Sequence, residues 1–420
     1  MTEAQRSDAR RRRARRRHRA ERRFRLYGAA AIASALLALG ALLVSVAGRA
    51  LPAFFEHRVR LNVHFDPDLL GADEQSAAGL AQANYGAVVK QALRSRFPDV
   101  SGRSETRALS ALLSVAAPFE LRDRALADPS LVGRSEEAWL LLADEADLHL
   151  KGADGASGLS DAQARWLEAL GAEGRIDRFF AARFLRSGDS REPELAGILG
   201  AVVGSFWTLA VTLALSFPLG AAAALYLEEF APRNRWTDWV EVNISNLAAI
   251  PSVVFGLLGL ALFLNALQLP RSAPLVGGMV LALMTLPTVV IAARSAIRAV
   301  PPSVREAALA IGASPMQVAL QHVLPLALPG VLTGTILGMA RALGETAPLL
   351  LIGMVAFIVD VPGGMRAPAT VLPVQIFLWA DAPERAFLAK TSAAILVLLA
   401  FLVTMNLTAV WLRRRFERRW

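Results

Sequence analysis

Residues 301–315 read Pro301-Pro302-Ser303-Val304-Arg305-Glu306-Ala307-Ala308-Leu309-Ala310-Ile311-Gly312-Ala313-Ser314-Pro315, with Leu324-Pro325 nine positions further on. Ser303 is placed to cap a helix whose first turn carries Glu306, and Gly312 falls where such a helix stops. The spacing predicts about two to three helical turns between prolines. Ala307, Ala308, Leu309 and Ile311 give this helix an apolar surface. On its own it reads as a surface linker or as a docking knob for a soluble partner. Its surroundings decide between the two.

Those surroundings are apolar. Six segments are long enough to cross about 30 Å of hydrocarbon, which takes about 20 helical residues. They are 26–48, 198–227, 244–269, 274–293, 323–359 and 391–412, the fifth interrupted by Arg341 and Glu345. The whole chain of 420 residues is 54% hydrophobic and 19% charged, with a mean hydropathy of +0.41. Soluble domains carry about a quarter charged residues. No cysteine is present, which excludes disulfides, thiolate metal sites and a cysteine nucleophile. No Gly-Lys pair occurs, which excludes a P-loop. The first apolar run, at about 22 residues, exceeds the length of a cleaved signal core and reads as a retained anchor.

Charge orders these segments. Residues 1–25 hold twelve arginines, residues 49–197 hold 18 basic against 23 acidic residues, and residues 413–420 hold five arginines and one glutamate. An arginine run beside an apolar span is the usual cytoplasmic anchor, so a nucleic-acid partner is not expected. An even number of spans puts both basic termini on one side, and the positive-inside rule makes that side the cytoplasm. The expected organisation is a basic tail (1–25), a first span (26–48), an external domain (49–197), a core of five spans (198–412) and a second basic tail (413–420). The turn 270–274 and the loop 360–390 then lie outside. Loops 228–243 and 294–322, the latter with Arg294, Arg298 and Arg305, lie inside.

The 49–197 segment has the pattern of a soluble, mainly helical domain. Val59, Leu61, Val63 and Phe65 alternate with polar residues, the period of a half-buried strand. Helices are expected over 85–97, with Val88, Val89, Ala92 and Leu93 inward, and over 107–117, with Leu109, Leu112 and Leu113 inward. Ser135 before Glu136 and Glu137 suggests a further helix start, Ser160 and Gln163 a capping box, and 152–157 a loop. His57, His64 and His149 are scattered and lack the spacing of metal ligands.

Arg341 and Glu345 stand at i and i+4 on one expected helix, so they share a face and can pair. A charge inside a span costs roughly 2.5–3.5 kcal/mol on insertion scales, which makes each a functional candidate. The competing role is a pair that only fastens helices. Gly330, Gly334 and Gly338 form a small-residue stripe that predicts close packing on a neighbouring helix.

Several segments carry a family resemblance. Glu306-Ala-Ala, Gly312 and Leu324-Pro325 resemble the EAA signature of ABC-importer permeases, with His322 where an isoleucine or valine is usual. Ala249-Ile-Pro251-Ser252-Val-Val-Phe-Gly256 and Arg341-Ala-Leu-Gly344-Glu345-Thr346-Ala347-Pro348 resemble two runs of phosphate-system permeases. Met405-Asn406-Leu-Thr-Ala-Val-Trp-Leu-Arg413 resembles the last helix of their A-type (PstA) subunits. The resemblance covers residues 200–420, and residues 1–195 look like the extended N-terminal region of some PstA-type proteins. It implies an all-α polytopic membrane protein with six transmembrane helices. Its core would be a type I, MetI-like permease, with a mainly helical extracytoplasmic domain between helices one and two.

The implied function is that of a non-enzymatic permease subunit in the inner membrane, forming half of a phosphate pathway. Its partners would be lipid, a second permease subunit (PstC-type), ATPase subunits (PstB-type) that hold ATP and Mg, and an extracytoplasmic phosphate-binding protein (PstS-type). This chain would bind no cofactor or metal. Arg341, Glu345, Thr346 and Ser252 would line the substrate pathway, and Glu306, Ala307, Ala308 and Gly312 would couple to the ATPase. The basic residue that follows Leu-Pro in the fourth span of many relatives is Ile291 here, with Arg294 three positions on. Other oxyanions (sulfate, phosphonate) and a membrane-anchored sensor remain as alternatives. The topology has a direct check. A cysteine introduced at Ser157 should react with an impermeant thiol reagent in whole cells, and one at Ser314 only after the cells are opened; reversed labelling would overturn the orientation.

Overall fold

In the computed structural model, residues 3–71, 77–152, 158–355 and 357–416 are described. Beyond Gly152, the expected 152–157 loop lies outside the described residues, as do residues 1–2 and 417–420 of the two tails. The first helix, α1 (Glu3–Ala50), holds the first apolar run and packs on the helix of residues 387–416.

The domain that follows is built on strand β1 (Phe55–His64). Helices α2 (Tyr85–Arg96) and α3 (Ala117–Ala127) cover it, followed by β2 (Ser135–Leu141), α4 (Asp161–Ala172) and β3 (Ile176–Phe180). The sheet is antiparallel in the order β2-β1-β3, with Leu61 opposite Ala138 and Val59 opposite Ile176. The expected α2 and the capping box of α4 are present; both halves of the Ser160–Gln163 box form.

Two expectations for this domain are corrected. Ser135-Glu136-Glu137 opens a strand, because Ala138 and Leu140 alternate inward and pair with β1. The helix expected over 107–117 is not one element: a helix over Arg103–Ser110 ends within it and α3 begins only at its end. Leu113 leaves to bridge Leu142, and Pro118 sits in the first turn of α3. Leu109, Leu112 and Leu113 are buried nonetheless. His57 Nδ1 lies 2.8 Å from Asp147 Oδ1, and His64 Nδ1 lies 3.0 Å from Ser135 Oγ.

The core begins with α5 (Leu199–Leu225), which closes in a wide π-turn over Tyr226–Phe230. Next come α6 (Arg235–Ala248), α7 (Ser252–Gly259), α8 (Pro274–Arg298) and α9 (Pro302–Ala310). Helix α10 (Leu324–Leu343) precedes α11 (Ala347–Leu351), α12 (Leu372–Ala380) and α13 (Phe387–Phe416). Among the described residues five helices are long and apolar enough to cross a membrane, and α6 with α7 makes a sixth bent by 99°.

That bend corrects the expectation of one straight span over 244–269. Pro251 has no N–H to give and biases Ile250 away from helical geometry, so a new helix starts at Ser252. The fifth span likewise stops at Leu343 and resumes at Ala347, since the ring of Pro348 would meet the carbonyl four residues back, at Gly344. The fourth span runs past its expected end, so Arg294 and Arg298 belong to α8.

The glycine stripe of α10 faces α8. A Cβ on Gly330 would lie 2.6 Å from the Cβ of Ala296, and one on Gly334 would collide with the Cβ of Ala292. At the other end of the core, Phe54 and Phe184 of the domain join Trp379 and Phe387 in an aromatic cluster. Trp379 Nε1 donates to Asp189 (2.9 Å), and Lys390 Nζ donates to the Ala196 carbonyl (2.6 Å). The close approach of α8 and α10 predicts that Gly334→Ala destabilises the purified protein by about 1–3 kcal/mol through overpacking. Adding Ala292→Gly should return most of the loss, as thermal unfolding in detergent would show. A Gly334→Ala protein as stable as the parent would refute the contact.

Candidate functional site

Two groups of expected residues fall at different places in the core. The first is α9. Pro301 stands at its cap position, Pro302 and Ser303 occupy the first turn, and Ser303 makes no capping bond, contrary to its expected role. Proline presets the entry dihedral and has no N–H to satisfy. The stop at Gly312 is as expected: its φ is +89°, a left-handed conformation that glycine adopts without strain. Ser314 then caps the next turn in a reciprocal box with Gln317.

Of the expected apolar surface, Ala308 turns inward and packs with Val318, Ala319 and Val323. Glu306, Ala307 and Gly312 are exposed, and so are Leu309 at 50% and Ile311 at 82%. Met316 and Leu320 extend the exposed apolar surface beyond α9. The result is a short helix whose inner edge is fixed to the core and whose outer edge offers apolar side chains beside a carboxylate.

The second group gathers where the two spans break. Gly256 of α7 lies against α11; a Cβ there would stand 2.7 Å from Pro348 Cα and 2.9 Å from a Leu351 methyl. The Ile-Pro-Ser and Gly-Glu-Thr-Ala-Pro segments, 92 positions apart between Gly256 and Pro348, are therefore packed together. Ser252 opens α7 and Thr346 directly precedes α11. Both are half-buried, and neither hydroxyl makes a hydrogen bond among the described residues.

Arg341 sits in the last turn of α10, where a cation suits the helix end. Glu345 lies beyond the cap residue Gly344, so the pair spans a helix end rather than one helical face, which corrects the sequence expectation. Arg341 Nε is 3.6 Å from Glu345 Oε1, longer than a hydrogen bond, and the two side chains are 57% and 21% exposed. The guanidinium keeps most of its planar donor set open.

Arg294 is engaged elsewhere. Its Nε donates to Glu228 (2.6 Å), it also pairs with Glu241, and it is buried. Arg298 donates to the other oxygen of Glu228 at 2.8 Å. Arg294 therefore belongs to an ionic network at the α9 end of the core, and Ile291 one turn earlier has no basic replacement in it. Sequence reasoning missed this network. Its signal was present: two adjacent carboxylates, Glu228 and Glu229, at the end of an apolar run, and three arginines in the segment after the fourth span.

Comparison with known proteins separates the two halves of the chain. Residues 11–157 match a domain of unknown function (DUF3333). Residues 216–420 match the family described as binding-protein-dependent transport system inner membrane component. The probable ABC transporter permease protein YqgI of Bacillus subtilis is 31% identical over 231 residues, 51% of this chain and 77% of that one. The phosphate transport system permease protein PstA 1 of Mycobacterium tuberculosis is 34% identical over 225 residues, 53% of this chain and 72% of that one. A solved inward-facing structure of the MetNI methionine ABC transporter aligns with a TM-score of 0.41 at 18% identity, covering 53% of this chain and 98% of that one. The chain is a multi-pass membrane transport subunit, not an enzyme, and belongs to the family of binding-protein-dependent inner membrane permeases of ABC transporters.

Proposed function

We propose that this permease is the PstA-type half of an ATP-driven importer of inorganic phosphate. The observation that carries the reading is Arg341, an open guanidinium at a helix break inside the core, loosely paired to Glu345 at 3.6 Å. A guanidinium presents a planar fork of donors that fits a phosphate oxyanion. An anion arriving at Arg341 replaces Glu345 as its partner, and departure lets the pair re-form. Ser252 and Thr346, with unengaged hydroxyls at the two broken helix ends, are the neutral donors this reading assigns to the pathway. The 34% identity to a phosphate permease supports phosphate as the oxyanion.

The assembly follows from the two ends of α5. One end meets the 49–197 domain and the other meets α9. This supports a domain outside the membrane, with α9 and both basic tails in the cytoplasm. A PstC-type permease subunit completes the pathway, PstB-type ATPase subunits holding ATP and Mg dock on α9, and a PstS-type binding protein delivers phosphate from outside.

Uptake of labelled phosphate and labelled sulfate in a deletion strain tests the substrate; restored sulfate uptake alone would replace phosphate in this reading. Arg341→Gln should lower uptake by at least about ten- to a hundredfold, the value of a single hydrogen bond to a charged group, with assembly intact. Arg341→Lys should be poor, because an ammonium does not reproduce the fork. Exchanging the charges (Arg341→Glu with Glu345→Arg) keeps a pair but moves the cation past the helix end. Near-normal uptake in that protein would remove Arg341 from the pathway. For α9, Gly312→Asp should leave the permease in the membrane but break the link between hydrolysis and uptake, and normal uptake would count against the docking role.

A further inference from the structure

The π-turn that ends α5 carries two adjacent carboxylates that point to different partners. Glu228 takes Arg294 and Arg298 from the end of α8. Glu229 takes Arg305 of α9, whose Nε and Nη2 approach one oxygen at 3.1 and 2.7 Å. Consecutive residues on a helical turn face in different directions, so one turn can hold two elements at once.

Arg305 does more than close an ion pair. Its Nη1 donates to the Val300 carbonyl at 2.7 Å, and its Nη2 to the Ile297 carbonyl at 3.0 Å. Ile297 lies in the last turn of α8 and Val300 just beyond it, where helix carbonyls run short of intrahelical donors. One guanidinium therefore ties α9 to the ends of both α5 and α8, and both partners are largely buried, Arg305 at 25% exposure and Glu229 at 12%. Helix α8 in turn touches α10 along the glycine stripe, and the last turn of α10 carries Arg341.

We propose that the Arg305–Glu229 pair is the clip through which displacement of α9 reaches α5 and α8, which makes both side chains positioning residues of the transport cycle. The proposal rests on α9 being the ATPase-docking helix. A packed apolar contact such as that of Ala308 lets α9 roll against the turn behind it, whereas a two-pronged guanidinium fixes its orientation as well as its distance. Lysine would hold the carboxylate as a point charge and could not reproduce the planar fork that also reaches the Ile297 and Val300 carbonyls.

The test uses the complete transporter reconstituted in liposomes, reading ATP hydrolysed per phosphate taken up. Glu229→Gln should raise that ratio by about fivefold or more while the ATPase subunits still co-purify. A ratio equal to that of the parent, with hydrolysis and uptake falling together, would overturn the clip. The absence of cysteine in this chain allows a second test within one assembled protein. With partner subunits made cysteine-free, Glu229→Cys with Arg305→Cys should be uncoupled, and joining the two thiols with a short bifunctional reagent should restore the parent ratio. No recovery on joining would also overturn it. A cross-linker placed at Ile311→Cys in the otherwise unchanged chain separates the two ideas. If it fails to reach the ATPase, the docking role falls and the clip with it; capture of the ATPase together with an unchanged ratio removes the clip alone.

Discussion

Inside hydrocarbon a peptide group that loses its helical partner has no water to replace it. A membrane helix can therefore break only where protein surrounds the break. Here the two interrupted spans touch just beyond their interruptions, with Gly256 of α7 set against Pro348 of α11. Glycine at 256 lets α7 and α11 come this close just beyond the two breaks. The polar residues follow from this arrangement. Ser252, Thr346 and Glu345 sit at helix ends because the ends are there, and Arg341 occupies the last turn where a helix favours a cation. Proline placement thus decides where a charge is tolerable in the core.

Much of this was legible in the sequence, because burial in lipid leaves a coarse and long-range signal. The apolar runs, the stop at Gly312 and the packing of Gly330 and Gly334 follow from composition and spacing alone. The breaks at Pro251 and Gly344 were written in the chain as well, but a uniformly apolar run gives no period against which a kink stands out. The assignment of Arg341 and Glu345 to one helical face failed for that reason. Pro348, three residues after Glu345, marks the helix end that the i, i+4 spacing ignores.

In the 49–197 domain the failures were of another kind. Glu136 and Glu137 after Ser135 have the chemistry of a helix start, and only pairing with β1 turns them into a strand. Local preference lost to a partner some 75 positions away in the sequence, which no local window contains. The same holds for the ionic network. Glu228 and Glu229 are plain as a charged pair, yet which arginine each one meets depends on how α5, α8 and α9 come together. Ala308 reads as part of an exposed surface until the turn at 318–323 is known to lie behind it.

Helix α1 packs on α13, and Ala50 and Ala53 share a buried cluster with Phe387. The two helices are separated by about 340 residues of chain. At about 5–20 residues per second of synthesis, α1 waits roughly 15–70 seconds for the helix it rests on. Its apolar surface suits lipid in the meantime, so the delay exposes nothing to aggregation. The 49–197 domain gains its seat on Trp379 and Phe387 only at the same late moment. Docking of the N-terminal half thus reports that the permease core has been made through to α13, and a chain interrupted before that point leaves the domain tethered but unseated, open to proteolysis at the residues that join it to α5.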